Sequence, residues 1–82
     1  MYQIIGEEIA VIGLYKSGQF RPKKFHWRQK TFLISEITAV HDFRDGTVQK
    51  RRFSVMSEQT LYLLEFNRQR EAWSVEQIWV EG

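Results

Sequence analysis

The chain contains no cysteine, one proline and five glycines among its 82 residues. Without cysteine, neither a disulfide nor a thiolate-bound metal can stabilise the fold. Small secreted domains commonly depend on such cross-links, so this absence favours a reducing cytoplasm. No apolar run approaches the roughly 20 residues that a membrane-spanning helix requires, and we predict no membrane partner. Because the glycines are isolated, the chain also lacks a glycine-rich loop for binding phosphate.

Residue patterns typical of enzymes are equally scarce. The two histidines cannot supply the three or four convergent ligands of a metal site, and no G-x-S-x-G nucleophile motif occurs. Glu7 and Glu8 would point to opposite faces of a strand, so they cannot act as an acid/base couple. One enzymatic alternative is left, in which His41 acts with Asp42 or Asp45. We predict a non-enzymatic protein with no catalytic residues, metal or cofactor.

Strand-like patterning dominates the chain. Alternating or wholly apolar stretches occur about six times between short polar turns, and Asp45-Gly46 is a strong hairpin signal. The pattern predicts a single small all-β domain over residues 1–82, a strongly curved antiparallel meander of about six strands that forms a barrel or half-barrel. The predicted strands are approximately residues 7–16, 24–28, 31–43, 48–57, 61–67 and 72–80.

Details of the pattern predict where each strand lies. The first strand is apolar on both faces, which favours a central strand covered on both sides. Pro22 argues against a central strand over residues 19–22. Slips in the alternation predict β-bulges near residues 35–36 and 76–77. The three tryptophans are expected in the core, and the last strand, with Ile78 and Trp79, is expected at an edge of the sheet.

Charge is segregated along the chain. Residues 16–52 carry ten Lys/Arg against three acids, whereas the remainder carries two Arg against seven Glu. If the second, third and fourth predicted strands are neighbours, the cations of "RPKKFHWRQK" and "QKRR" lie about 10 Å apart on either side of the third strand. A nucleic-acid backbone could be followed by cations at this spacing. The candidate nucleic-acid-binding residues are Phe20, Arg21, Lys23, Lys24, Arg28, Lys30, Lys50, Arg51 and Arg52.

Two other interpretations of these residues stand beside nucleic-acid binding. The cations could simply form the solvated outer face of a sheet, where Lys and Arg protect edges. Phe25 and Trp27 fit a core better than a stacking surface, which leaves Phe20 as the exposed ring that would stack on a base. The functional alternative to binding single-stranded or duplex DNA or RNA is a protein–protein adaptor. Such a domain would bind a partner, or form a homodimer, through an exposed sheet edge.

The order of three short motifs resembles a small bacterial family of unknown function. That family carries W-R-G-x-x-Y-x-V-x-x-V, then R-R-x-x-x-V, then a final hairpin ending in W-x-L-x-x-I-W-D. The matching stretches are "FHWRQKTFLISEI" (25–37), "KRRFSVMS" (50–57) and "LLEFNRQREAWSVEQIWVE" (63–81). Members are often encoded beside translesion-polymerase-like DNA repair proteins. The resemblance therefore implies an accessory role in DNA repair and a repair protein as partner.

Overall fold

A computed structural model describes residues 1–81, and within them the chain forms one antiparallel sheet. The all-β prediction is confirmed, with seven strands in place of about six. Most of the predicted strands are recovered, and three of them are longer or divided differently. The strands are β1 (Tyr2–Lys16), β2 (Gln19–Trp27), β3 (Lys30–Leu33), β4 (Glu36–Asp45), β5 (Val48–Ser57), β6 (Thr60–Asn67) and β7 (Ala72–Trp79).

The order of strands across the sheet is β3-β2-β1-β7-β6-β5-β4. The prediction of one strand over residues 31–43 is wrong, because the chain breaks at Ile34 and Ser35 into β3 and β4, which are the two outermost strands. The last strand is not an edge, since β7 lies between β1 and β6. The sequence prediction placed this strand at an edge because the order of strands along the chain does not reveal that β1 pairs with β7.

Strand β1 is long enough to pair with two different partners. Its residues 2–9 pair with β7, and its residues 10–16 pair with β2. The register shifts where Glu76 of β7 is left without a partner in β6, which confirms the bulge predicted near residues 76–77. The phase slip near residue 35 has another cause, namely the break at Ser35 followed by a shift at Thr38 in β4. These irregularities bend the sheet strongly.

The core lies on the concave side of the bent sheet. Phe25 and Phe32 stack with ring centroids 4.8 Å apart, and both rings contact Tyr62. Val55, Leu64 and Val75 fill the centre with no exposed surface. Trp27 is buried as predicted, but Trp79 is 42% exposed, so its assignment to the core is wrong. Trp79 instead packs its ring edge-on against Tyr2 on the outer face.

The sheet curls without closing into a barrel. No ladder joins β3 to β4 anywhere in residues 1–81. The connection between β3 and β4, residues 34–35, links the two sides of the curled sheet at one point. The Ile34 amide donates to the Lys23 carbonyl of β2, and the Ser35 amide donates to the Met56 carbonyl of β5, each at 2.9 Å. Beyond that point β2 and β4 do not pair, so residues 19–23 and 37–42 border an opening into the concave face.

Candidate nucleic-acid groove

The predicted cations at the β2–β3 turn are held by carboxylates. Arg28 donates to Glu7 at 2.6 Å, and Lys30 donates to Glu58 at 3.1 Å. The Trp27 indole also donates to Glu7 at 2.8 Å. The hydrogen bond from Arg28, followed by that from Trp27, lowers the pKa of Glu7. These contacts fix the turn against β1 and the β5–β6 turn, so Arg28 and Lys30 serve the fold.

The cations on the outer face of β5 are also neutralised locally. Arg52 lies 2.8 Å from Glu65, and Lys50 lies 3.3 Å from the same carboxylate and 3.1 Å from Asp45. Glu65 is only 6% exposed, so the two cations provide the partners that a buried carboxylate requires. Hydrogen bonds to Asp45 and Glu65 raise the pKa of Lys50. The predicted neighbourhood of these cations with Arg28 and Lys30 is wrong, because β2, β1, β7 and β6 separate β3 from β5.

Arg51 faces the opposite side of β5 and lines the concave face. Its Nε and Nη2 atoms donate to the two oxygens of Asp42, at 2.6 and 2.9 Å. This bidentate hydrogen bonding lowers the pKa of Asp42 and raises the pKa of Arg51. The pair adds little net charge, but the Nη1 protons of Arg51 remain available for a ligand.

Strand β2 carries the cations that lack an acidic partner. Among residues 1–81, Arg21, Lys23 and Lys24 have no carboxylate within 4.0 Å. Arg21 and Lys23 are exposed, whereas Lys24 is half-buried. These three residues precede the turn, while the acids of this region lie beyond it or on β1. The electrostatic potential of β2 is therefore not offset by a local ion pair.

The opening between residues 19–23 of β2 and residues 37–42 of β4 forms a groove, which we call the seam groove. One cleft, of about 230 Å³, lies among Tyr15, Phe20, Arg51, Phe66, Arg68 and Trp73. A second, of about 400 Å³, shares Phe20, Arg51 and Phe53 with the first and extends to Arg21, Val40 and Asp42. Together they have the dimensions of a small-ligand site.

A glycine allows the aromatic wall of the seam groove to form. Gly13 lies opposite Pro22 in the β1–β2 ladder, at the register shift between these strands. A Cβ atom on Gly13 would clash with the Arg21 carbonyl oxygen and would lie 2.6 Å from the ring of Phe20 and 2.8 Å from the Pro22 Cα. The missing side chain therefore lets the backbone of β2 and the Phe20 ring approach β1 closely. There it contacts Trp73, with the ring centroids 5.7 Å apart.

Sequence reasoning predicted Phe20 as the most exposed aromatic residue, but its neighbour across the ladder is far more accessible. Tyr15 pairs with Phe20, its ring centroid is 5.2 Å away, and the residue is 79% exposed. Tyr15 was missed because it ends an apolar strand, where the pattern gives no sign of exposure. The two rings lie at 60° to each other at the mouth of the seam groove, where Phe20 is half-buried and Tyr15 is exposed.

Arg68 is the second residue that sequence reasoning missed. Its amide donates to the Gln49 carbonyl at 3.0 Å, and the Asn67 side chain accepts from the next two amides, each at 3.0 Å. This Asx turn places Arg68 beside Arg51 at the groove. Within residues 1–81 Arg68 has no carboxylate within 4.0 Å. The Asn-Arg pair in the β6–β7 loop is the signal that could have located it.

The chemistry of the seam groove is that of binding. Free cations lie on two walls, Arg21 on β2 and Arg68 beyond β6, with aromatic rings between them. Among the described residues, no group of three or more His, Asp or Glu side chains could hold a metal ion. No helix in that part of the chain is long and apolar enough to cross a membrane.

Comparisons with protein-family models, with curated proteins and with solved structures found no match to this chain. The resemblance of the three motifs to the bacterial family therefore stays a prediction.

Proposed function

We propose that this chain is a non-enzymatic module that binds single-stranded nucleic acid in the seam groove. The observation that carries the proposal is the exposed Tyr15 ring beside the half-buried Phe20 ring, together with Arg21 and Arg68, whose guanidinium groups have no carboxylate partner within residues 1–81. Proteins that bind single strands without sequence preference use this combination, stacking bases on rings and following the phosphates with cations. A duplex would keep its bases stacked internally, so we expect single strands to bind more tightly.

Each group has a definite role in this proposal. A base stacks on the exposed Tyr15 ring, beside Phe20, and such a contact contributes about 1–3 kcal/mol in proteins of this kind. Arg21 and Lys23 on one side and Arg68 on the other contact phosphates. Arg51 is already held by Asp42, so its free Nη1 protons donate to a base edge or a sugar oxygen. The candidate residues Arg28, Lys30, Lys50 and Arg52 hold carboxylates and take no direct part.

Fluorescence anisotropy with a labelled single-stranded oligonucleotide tests the proposal. If Arg21, Lys23 and Arg68 neutralise three phosphates, the slope of log K against log salt concentration is about −2. We expect an Arg21→Ala/Arg68→Ala variant to bind more weakly and with a shallower slope. The matched control is Arg28→Ala, which removes one exposed cation outside the groove and should leave the affinity nearly unchanged.

Two results would contradict the proposal. One is an affinity no greater than that of a basic peptide of equal charge. The other is equal weakening by Arg28→Ala and by either groove substitution, because this would mean that net charge alone attracts the oligonucleotide.

The cellular setting follows from the sequence rather than from the groove. The motif resemblance supports an accessory role in DNA repair, with a repair protein as partner, and the lack of cysteine supports a cytoplasmic location. RNA is an equally suitable ligand for stacking rings and cations, so both polymers belong in the binding assay.

A protein–protein adaptor is the second candidate function, and the open edge of β4 favours it. Val40 pairs with buried Phe53 and so faces the concave side, yet Val40 is 53% exposed. Along residues 37–42 the outer edge of β4 has no strand beside it within the described chain. An extended partner segment could pair with this edge and cover Val40. The last strand, β7, cannot serve in this way because both of its sides are occupied.

Sedimentation velocity and a Val40→Lys variant separate the two functions. A homodimer formed through the β4 edge would dissociate when a charge is placed at Val40. If oligonucleotide binding is the function, the purified chain sediments as a monomer. In that case Val40→Lys retains or improves binding, since it adds a cation beside the groove.

A further inference from the structure

The outer face of β1, β2 and β3 combines exposed aliphatic side chains with unpaired cations. Ile12, Leu14 and Leu33 are 60%, 62% and 68% exposed. The ladders place Ile12 beside Lys24, and Lys24 beside Leu33, in one row across three strands. Leu14 lies beside Arg21 in the next row. We call this set, with Lys16 at the end of β1, the outer basic face.

The outer basic face exposes aliphatic side chains that are normally buried against another layer of protein. A strand with apolar side chains on both faces is typical of burial on both sides, and the sequence predicted such burial for β1. The structure buries only one side: Val11 packs against the core while its neighbour Ile12 faces solvent. No second layer of the described chain covers the outer side. The prediction of two-sided burial is therefore wrong for the isolated chain.

The charges of this face exclude two kinds of occupant. Within residues 1–81, Lys16, Arg21 and Lys24 have no carboxylate within 4.0 Å. A second copy cannot cover the face with the same face, because like charges would be apposed. A nucleic-acid backbone would satisfy the cations but would leave three aliphatic side chains without an apolar partner.

We propose that the outer basic face binds the surface of a lipid bilayer containing anionic phospholipids. Such a surface supplies negative headgroups and apolar chains at the same place, as the alternating Lys/Arg and Ile/Leu side chains of the face require. The face is the convex side of the curled sheet, and a fluid bilayer accommodates a convex protein surface without a preformed concave partner. This mode of binding is peripheral and needs no membrane-spanning segment. It replaces the prediction of no membrane partner, which considered only membrane-spanning helices. The outer basic face shares Arg21 with the seam groove, so the variants that test it leave Arg21 unchanged.

Co-sedimentation with lipid vesicles tests the inference. The probes are vesicles of equimolar phosphatidylglycerol and phosphatidylcholine, with pure phosphatidylcholine vesicles as the neutral control. We expect the chain to sediment with the anionic vesicles only, and less so as salt is raised. A Lys16→Gln/Lys24→Gln variant should partition about fivefold more weakly for each cation removed. An Ile12→Ser/Leu33→Ser variant, which keeps every charge, should lose about tenfold or more.

Several outcomes would overturn the inference. Equal sedimentation with neutral and anionic vesicles would show that the cations do not contribute to vesicle binding. Unchanged partitioning of the Ile12→Ser/Leu33→Ser variant would show that the aliphatic side chains do not contribute. If polyglutamate displaces the unsubstituted chain and the Ile12→Ser/Leu33→Ser variant from anionic vesicles equally well, the face binds through its cations alone. Loss of oligonucleotide binding by Ile12→Ser/Leu33→Ser, with vesicle binding retained, would assign the face to nucleic acid instead. Because both substituted residues are exposed, we expect unchanged thermal unfolding, and this measurement shows that the variants are folded.

Discussion

The cations of β5 and those of β2 are the same types of residue on strands of one sheet, yet they have opposite surroundings. On β5, the carboxylates of Asp42, Asp45 and Glu65 lie within 3.3 Å of Lys50, Arg51 and Arg52. On β2, Arg21, Lys23 and Lys24 have no such partner within the described residues. A basic stretch in a sequence can therefore be structural in one strand and free for ligands in another.

The difference arises from which strands the ladders place side by side. Arg52 lies directly opposite Glu65 of β6, and Arg51 lies opposite Asp42 of β4. The neighbours of Lys24 are Ile12 and Leu33, and the neighbour of Arg21 is Leu14. Directly opposite residues in an antiparallel pair interact most strongly, so register decides whether a cation finds an acid. If this comparison is correct, substitutions in β5 affect stability, and substitutions in β2 affect binding.

Replacement of Glu65 by alanine should have the largest effect on stability. Glu65 is 6% exposed and accepts from both Lys50 and Arg52. Removing it leaves Arg52 without a carboxylate partner and leaves Lys50 with only the exposed Asp45. We expect a loss of about 2–3 kcal/mol in the free energy of unfolding. Urea denaturation measures the loss. The control is Glu36→Ala, an exposed acid without an ion pair in the described residues, which should change stability by less than about 0.5 kcal/mol. Equal effects of the two substitutions would refute the structural role of Glu65.

Gly13→Ala should have the next largest effect, and it should lower both the stability of the fold and the affinity for oligonucleotides. The added Cβ would clash with the Arg21 carbonyl oxygen and lie 2.6 Å from the Phe20 ring, so both the backbone of β2 and the ring must move. Overpacking of this kind costs about 1–3 kcal/mol in stability, and displacement of Phe20 should weaken oligonucleotide binding. Thermal unfolding and fluorescence anisotropy measure the two effects. Phe20→Ala is the comparison variant, since it removes the ring without straining the backbone. A stable Gly13→Ala variant with normal binding would show that the ring has no fixed place.

Single substitutions of the free cations should alter binding but not folding. We expect Arg21→Ala or Arg68→Ala to reduce the magnitude of the salt slope for single-stranded oligonucleotides by about 0.7 each. Stability should change by less than about 0.5 kcal/mol because both residues are exposed. Arg52→Ala should do the reverse, with a measurable loss of stability and an unchanged slope. The comparison between β2 and β5 fails if Arg52→Ala lowers the slope as much as Arg21→Ala does.

The smallest effect concerns acid pH and the Asp42–Arg51 pair. Hydrogen bonding by Arg51 lowers the pKa of Asp42 in the folded state below its ordinary value of 3.8. The contribution of the pair to stability is therefore complete above the unfolded pKa and is lost as the pH falls through the folded pKa. Asp42 is 60% exposed, so solvent screens the effect. Asp42→Asn should flatten the fall in stability below about pH 4. An unchanged pH profile, measured by urea denaturation, would show that the pair does not contribute.

The strand content was predictable because it depends on local alternation. Phe53 and Val55 of β5, and Tyr62 and Leu64 of β6, are buried at every second position, as the sequence pattern indicated. The bulge at Glu76 was predictable for the same reason, since one extra residue exchanges the two faces of a strand. The prediction for residues 31–43 was wrong because a change in the alternation of apolar and polar residues has two possible causes. A β-bulge within one strand and a break between two strands give the same sequence pattern.

The candidate site was predictable only in part. Phe20, Arg21 and Arg51 are candidates from the basic and aromatic stretches, and all three line the groove. Tyr15 reaches it across the β1–β2 hairpin, and Arg68 and Trp73 reach it from a distant part of the chain. Whether those proposed contacts bind a ligand is the question that the oligonucleotide titrations address.

The amino-acid sequence alone determined that this chain forms β-strands, which of their faces are apolar and where the cations lie along the chain. These properties follow from the local preferences of the residues and from their strict alternation. Only the tertiary structure decided that β3 and β4 lie at opposite edges and that an open groove remains between β2 and β4. It also decided that the cations of β5 pair with acids, whereas those of β2 have no acidic partner within residues 1–81. The physical reason is that strand order and register are set by the packing of the whole sheet, in which residues far apart in the chain become neighbours.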